Sequence, residues 1–247
     1  MTLVWAACIG VGIGFLGGLL GKGGSAIATP LLAAIGVPPI IAVASPLPAT
    51  IPSTMIASYA YARERLVDWR VVRWSVGFGI PATAIGALLT RWIDGGVLVR
   101  VTDVILIGLG LRLLLTSAKR PSPGDEPHVV TAWQLMAVAT TVGFISGLLA
   151  NSGGFLLAPL FITVLKLPIK SALACSLAVA SVLAVPGTIV HASLGHIDWT
   201  LVAVFAATSV PLSFLGARVA MRTDAHRLER LYGAALIVLG TVFLIIS

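Results

Sequence analysis

Two stretches decide the fold: GFLGGLLGKGGSAIATPL at residues 14–31 and GFISGLLANSGGFLLAPL at residues 143–160. At an offset of 129, Gly14-Phe15 falls on Gly143-Phe144, Gly18-Leu19-Leu20 on Gly147-Leu148-Leu149, Gly24 on Gly153 and Pro30-Leu31 on Pro159-Leu160. After a one-residue slip the register continues at 130: Pro38 meets Pro168, Asp68-Trp69 meets Asp198-Trp199, Pro81 meets Pro211, and Gly86-Ala87 meets Gly216-Ala217. A chance register would not hold through both halves of a chain. Residues 1–117 and 131–247 are therefore read as two copies of one unit, joined by a polar, Pro-containing linker at 118–130.

The medium around these copies follows from composition. Of 247 residues, 58% are hydrophobic and 10% charged, and the mean hydropathy is +1.05. A soluble domain carries about 25% charge and 45–50% apolar residues. The 26 glycines and 14 prolines leave little to coat a water-facing surface. These numbers exclude a soluble enzyme, a nucleic-acid-binding domain and a disordered chain. The net charge of +7 fits Arg- and Lys-rich cytoplasmic loops of a membrane protein. Cys8 and Cys175 have no partner spacing, so no disulfide framework and no metal site is expected. The first apolar run has no basic residue ahead of it and no small-x-small cleavage site, which predicts that it is retained.

Each copy divides into five apolar segments, at 3–20, 24–36, 40–62, 71–91 and 97–117, then 132–149, 154–165, 169–192, 199–217 and 231–247. Crossing hydrocarbon takes roughly 20 apolar residues. The second segment of each copy is too short and follows a glycine turn, so it reads as the return arm of a re-entrant or broken hairpin. Three full spans per copy remain, and an odd number inverts the second copy. The basic residues agree. Loop 63–73 carries Arg63, Arg65, Arg70 and Arg73, whereas 193–199 carries neither Arg nor Lys. The following loop has Arg91 and Arg100 in copy one but Arg218, Arg222, Arg227 and Arg230 in copy two. This bias predicts 63–73, 118–130 and 218–230 in the cytoplasm. The expected fold is an all-α polytopic membrane protein of two inverted repeats, each a broken hairpin plus three transmembrane helices, in the cell (inner or plasma) membrane.

Inverted repeats with broken helices are a transporter architecture, with the site where the breaks meet. The breaks are Gly21-Lys22-Gly23-Gly24-Ser25 and Ala150-Asn151-Ser152-Gly153-Gly154. Each following half-helix points its N-terminus, with free N–H groups and partial positive charge, back at the break, and two such ends suit an anion. Lys22 is the one charged residue among the first 62. A buried ammonium in a bilayer usually marks a site, although it could also end the first span as a topology charge.

The residues resemble the TauE/SafE-like sulfite exporters over nearly the whole chain. The resemblance is carried by a repeated G-x-x-G-x-G-G-G-x4-P-L pattern, an A-x-x-S-L-like stretch and a G-x-x-D-W step. Copy one supplies Gly18, Gly21, Gly23, Gly24, Pro30 and Leu31, with Ser25 in place of a glycine. Copy two supplies Gly147, Gly153, Gly154, Pro159 and Leu160, with Ala150 and Ser152 in place of two. The second motif reads Ala174-Cys175-Ser176-Leu177 and Ala44-Ser45-Pro46-Leu47, and the third is Gly195-His196-Ile197-Asp198-Trp199. The resemblance implies a permease rather than an enzyme, one that exports a small sulfur-containing anion such as sulfite, thiosulfate or an organosulfonate. The substrate-binding set expected is Gly21, Lys22, Gly23, Gly24, Ser25, Ser45, Asn151, Ser152, Gly153, Gly154, Cys175 and Ser176. No cofactor, catalytic residue or nucleic-acid partner is expected; the partners are the anion and the bilayer, and a homo-oligomer is left open.

Structural roles compete at several positions. Asp68 and Asp198 suit helix caps, Trp69 and Trp199 an interfacial aromatic belt, and the glycines close helix packing. Cys175 suits a small buried hydrophobe and His191 an interfacial hydrogen bonder. Arg112 can snorkel, and Asp103 can pair with Arg100 three residues before it. Two other functions are open to this pattern. A passive anion channel could use the same breaks as a pore. An intramembrane serine protease would need Ser152 beside a base such as His191.

Overall fold

The computed structural model describes residues 2–21, 25–89, 107–108, 111, 131–148 and 152–246, and every regular element among them is helical. The helices are α1 (Thr2–Leu20), α2 (Ser25–Ala34), α3 (Pro39–Ala44), α4 (Pro46–Arg63) and α5 (Trp69–Leu89), then α6 (Ala132–Leu148), α7 (Gly154–Thr163), α8 (Ile169–Ser193), α9 (Trp199–Arg222) and α10 (Ala225–Ile246). Five stretches of the described residues are long and apolar enough to cross a membrane: Leu3–Leu20, Ile40–Arg63, Trp69–Leu89, Ile169–Ser193 and Trp199–Arg222. The linker 118–130 and, apart from residues 107, 108 and 111, the segment 97–117 with Arg100, Asp103 and Arg112 lie outside the described residues.

The surface has the polarity that a lipid solvent selects. Val4, Met55, Ile85, Trp133 and Ile189 are all more than half exposed, whereas Thr50, Ser53, Thr54, Ser75, Thr83, Ser146, Ser209 and Ser213 are buried. Hydrocarbon solvates apolar side chains as well as the interior does, so the hydroxyls are what gain from facing protein.

α2 and α7 have ten residues each, about 15 Å of helix, and neither crosses. The expected single helix over 40–62 is two. α3 ends at Ala44, a turn at Ser45 follows, and α4 restarts at Pro46. Pro46 has no N–H to return to the Ala42 carbonyl, which interrupts the ladder. The equivalent of Pro46 in the other half is Ser176, and there α8 runs unbroken for 25 residues.

Glycine sets how close the helices lie. α1 and α9 run side by side in one direction: a Cβ on Gly10 would meet Thr208, one on Gly14 would meet Ser209, and one on Gly18 would meet the Ser213 carbonyl and Ala217. From the other side, Gly216 lies against the backbone of Phe15 and Leu19. α6 and α5 repeat the arrangement, with Gly143 on Gly79, Gly147 on Thr83 and Ala87, and Gly86 on Phe144 and Leu148. Such contacts gain dispersion energy from backbone lying directly on backbone.

α4 and α8 pack between these pairs and run in opposite directions. Leu47, at the start of α4, reaches Gly187 near the end of α8. The loop after α8 returns to the start of α4, where the Asp198 N–H donates to Ser45 Oγ at 3.0 Å. The loop after α4 returns to α8, where the Asp68 N–H donates to Cys175 Sγ at 3.2 Å. Ser45 and Cys175 stand 130 residues apart, as do Asp198 and Asp68. Both aspartates cap the next helix: Asp68 Oδ1 accepts from the Arg70 and Val71 N–H groups, and Asp198 Oδ1 from those of Thr200 and Leu201.

Two apolar clusters fill the ends of the bundle. One gathers Ala6, Ile13, Ile27, Ala28, Leu32 and Leu201 around α2, with Phe205 beside them. The other gathers Leu156, Leu157, Phe161, Leu173, Leu177 and Tyr61 around α7 and α8. Each half-helix is thus held by an apolar nest at its own end of the molecule.

Candidate functional site

The two breaks are brought together. Ser25 opens α2, and its Oγ lies 3.5 Å from the Ser152 Oγ and 3.4 Å from the Ser152 backbone nitrogen, which donates to it. Ser152 stands two residues before Gly154, the first residue of α7. Both serines are fully buried. The N-terminal ends of two half-helices, 127 residues apart in sequence, therefore meet inside the bundle, where their leading N–H groups have no acceptor in their own helices.

Glycine is required at each turn for its backbone. Gly21 leaves α1 with φ +64, and a Cβ there would lie 2.8–2.9 Å from Leu173 and Ser176. Gly153 enters α7 with φ +72, and its Cβ would lie 3.0 Å from Ser146 Oγ. L-residues with side chains disfavour that region; at Gly21 the Leu173 backbone also leaves no room, and at Gly153 the contact with Ser146 is tight.

Ser176 fixes the first break. Its hydroxyl donates to the Gly21 carbonyl at 2.8 Å and sits 2.9 Å from that of Leu173. The Tyr61 hydroxyl, fully buried, lies 3.5 Å from the Gly18 carbonyl. Both bonds serve carbonyls at the end of α1 that have lost their helical partners. Each is worth about 1 kcal/mol.

The residues expected to bind substrate thus fall into three groups. Gly21, Ser25, Ser152, Gly153, Gly154 and Ser176 surround the junction of the breaks. Ser45 and Cys175 are buried on α3–α4 and α8, where they hold the Asp198 and Asp68 loops. Lys22, Gly23, Gly24 and Asn151 lie outside the described residues.

Sequence reading overlooked a second polar feature. Between α1, α4 and α9 lies a cavity of about 10 Å³ lined by Gly14, Gly17, Thr50, Ser53, Thr54, Ser209 and Ser213, among others. That is the volume of one water molecule. Thr50 donates to Pro46 O, Ser53 and Thr54 to Thr50 O, and Ser213 to Ser53 O. Ser209 Oγ is buried with no hydrogen-bond partner among the described residues. The available signal was the run of hydroxyls on α4 in an otherwise apolar span.

His191 does not approach Ser152 as a base would. Its Nδ1 lies 3.3 Å from the Nδ1 of His196, and its Nε2 is buried with no partner. No hydrogen bond joins His191 to Ser152 among the described residues, so the two are not set as a nucleophile and its base.

A lipid-facing helical bundle whose core is two converging helix breaks defines a class, the polytopic membrane transporters with discontinuous helices. The chain belongs to one family of them: the model of the sulfite exporter TauE/SafE family matches residues 6–243. A probable membrane transporter protein of Xylella fastidiosa (strain 9a5c) is 31% identical over 232 residues, covering 91% of this chain and 88% of the relative. The probable membrane transporter protein YjnA of Bacillus subtilis is 26% identical, covering 94% and 96%. A probable membrane transporter protein of Methanocaldococcus jannaschii is 24% identical, covering 96% and 93%. No solved structure matches.

Proposed function

We propose that this transporter moves a small sulfur-containing oxyanion, such as sulfite, thiosulfate or an organosulfonate, outward across the cell membrane, holding it between the two glycine breaks. The observation that carries this reading is the meeting of Ser25 and Ser152 at the N-termini of α2 and α7. Helix N-termini present N–H donors and partial positive charge to one point. Hydroxyls add donors, and Lys22, next to Gly21 in the sequence, would supply one ammonium. Several acceptor oxygens on a compact anion match that donor set.

The proposal includes inversion of the two copies. It is supported by helix direction: α1 and α4 run with α9, α6 and α8 run with α5, and α4 opposes α8. Equivalent segments then point opposite ways, and the Arg-rich loop 63–73 and the loop 193–199, which carries neither Arg nor Lys, fall at opposite ends of α4. A cysteine replacing Arg65 should label only from the cytoplasm, and one replacing His196 only from outside. Labelling from the same side overturns inversion.

Reconstituted flux tests the function. Vesicles holding the full chain should move sulfite, thiosulfate, sulfate or an organosulfonate with saturation, and should not move sodium or a quaternary amine. Cation transport unaffected by competing sulfur oxyanions would sink the proposal. Non-saturating, very fast anion flux would replace carrier by channel.

A further inference from the structure

A cleft of about 540 Å³ opens where α4 and α9 end and α8 begins, lined by Glu64, Leu66, Lys170, Arg218, Met221 and Arg222. A recess of about 250 Å³ continues it between α4 and α9, adding Ala60, Arg63 and Phe214 to the walls. Four cations, Arg63, Lys170, Arg218 and Arg222, thus share one hollow with one carboxylate among the described residues, Glu64. Two of the cations are held in place. Lys170 Nζ donates to the Met221 carbonyl at the end of α9, at 2.7 Å. The Arg218 guanidinium lies 4.4 Å above the Phe214 ring, a cation–π contact that leaves its in-plane N–H edge for another partner.

The positive-inside bias explains why such charges sit at this end. It does not explain why they line a hollow built on α4 and α8, the helices whose side chains also hold the first break. Ser176, which bonds the Gly21 carbonyl, lies six residues beyond Lys170 on α8, about 9 Å along the axis. Tyr61, beside Ala60 of the recess, reaches the Gly18 carbonyl. The equivalent positions at the other end of the molecule are Ser193, Leu194, His196, Ile40 and Leu88 for Arg63, Glu64, Leu66, Lys170 and Arg218. None of these five is a fixed cation; the equivalents of Met221 and Arg222 are Arg91 and Trp92, which lie outside the described residues.

We propose that this cleft is an oxyanion-binding site, in which Arg63, Arg218, Arg222 and Lys170 capture the anion at one mouth before it passes to the break. As a capture step it rests on the anion-transport reading above. Guanidinium groups pair with two oxygens of one anion at once, and a hollow of one charge sign raises the local concentration of counter-ions. The phosphate of an anionic lipid carries the same oxygens, so the test separates the two sources.

The full chain is reconstituted in phosphatidylcholine vesicles, and initial sulfite and sulfate flux is followed against anion concentration at the basic mouth. The double variant R63Q/R222Q should raise the half-saturating concentration about tenfold with little change in maximal rate. Salt raised from about 0.05 M to about 0.5 M should weaken the wild type more than the variant. R70Q/R73Q removes the same charge from exposed positions on α5 outside the cleft and should stay within about twofold of wild type. No shift in R63Q/R222Q, or an equal shift in both doubles, overturns the capture site while leaving transport intact. Calorimetric titration with sulfate in phosphatidylcholine nanodiscs reads the cleft without flux. Binding that is lost in R63Q/R222Q upholds the site even if the wild type transports nothing, in which case the transport reading is the one that fails. No sulfate binding in those discs, with phosphatidylglycerol retained by wild type and not by R63Q/R222Q, assigns the cleft to lipid and overturns anion capture.

Discussion

The α1–α4–α9 interface and its counterpart α6–α8–α5 share a backbone arrangement and differ in what fills it. Both lay glycine on backbone at the same repeat positions, Gly18 on Ser213 and Gly147 on Thr83. In the first, Thr50, Ser53, Thr54, Ser209 and Ser213 surround a water-sized cavity. The equivalents are Ala180, Leu183, Ala184, Gly79 and Thr83. There the Leu183 side chain sits against Gly79, whose Cβ would lie 2.9 Å from it, and occupies the corresponding space. One interface is polar and hollow, the other apolar and plugged. The glycine contacts therefore belong to the architecture, whereas four of the five hydroxyls occur in one half only, Thr83 alone matching Ser213. A feature needed for both halves to pack must recur, whereas a feature for a ligand or water need appear only once.

The largest test breaks the shared part. Gly18→Leu and Gly147→Leu each drive a side chain into the backbone of the facing helix, and overpacking with no room to relax costs at least about 1–3 kcal/mol. Both variants should lose monodisperse folded protein in size-exclusion chromatography, to the same degree. Wild-type behaviour of one and loss of the other would end the equivalence of the two interfaces.

Removing the plug tests the difference. Leu183→Ala opens space on the apolar side and should cost about 2–5 kcal/mol, read as a fall in thermal-unfolding midpoint. Ser53→Ala, its equivalent on the hollow side, removes far less buried apolar surface and should cost less than half as much. Equal losses would mean that the hollow is as tightly packed as the plug.

The breaks differ in charge at the same aligned pair, Lys22 and Asn151. On the proposed site, Lys22→Met should remove a charge-assisted bond of about 1.5–3 kcal/mol and weaken anion binding roughly ten- to a hundredfold. Asn151→Ala loses only neutral bonds and should cost less. Unchanged affinity in Lys22→Met with loss in Asn151→Ala would move the site into the second break. Affinity is measured as the half-saturating concentration in reconstituted flux.

The smallest effect sharpens the cavity. Ser209 Oγ is buried with no hydrogen-bond partner among the described residues, so Ser209→Ala should leave stability unchanged or raise it by up to about 1 kcal/mol. A fall in the unfolding midpoint would show that this hydroxyl holds a bound species in the native protein.

Asp68 and Asp198 illustrate what was legible before the structure. Capping is a local contest for the first N–H groups of a helix, and an acid ahead of Trp69 or Trp199 declares it. The short second segments were legible because ten residues cannot span hydrocarbon whatever surrounds them. The break at Ser45 was not read, although Pro46 stands beside it, because a proline sometimes bends a membrane helix without ending it. The partners of Ser45 and Cys175 were illegible, since each accepts from a backbone N–H on a distant loop and nothing near it in sequence marks that donor.

Membrane residence and the position of the breaks were determined by the sequence alone, because hydropathy, length and glycine act within a single segment. The family is written in the same local patterns. That Ser25 meets Ser152, that Ser176 holds Gly21, and that four cations separated by up to 159 residues line one cleft depended on how distant helices pack. Such contacts depend on direction and register between helices, which side-chain volume and backbone approach set only when all of them assemble.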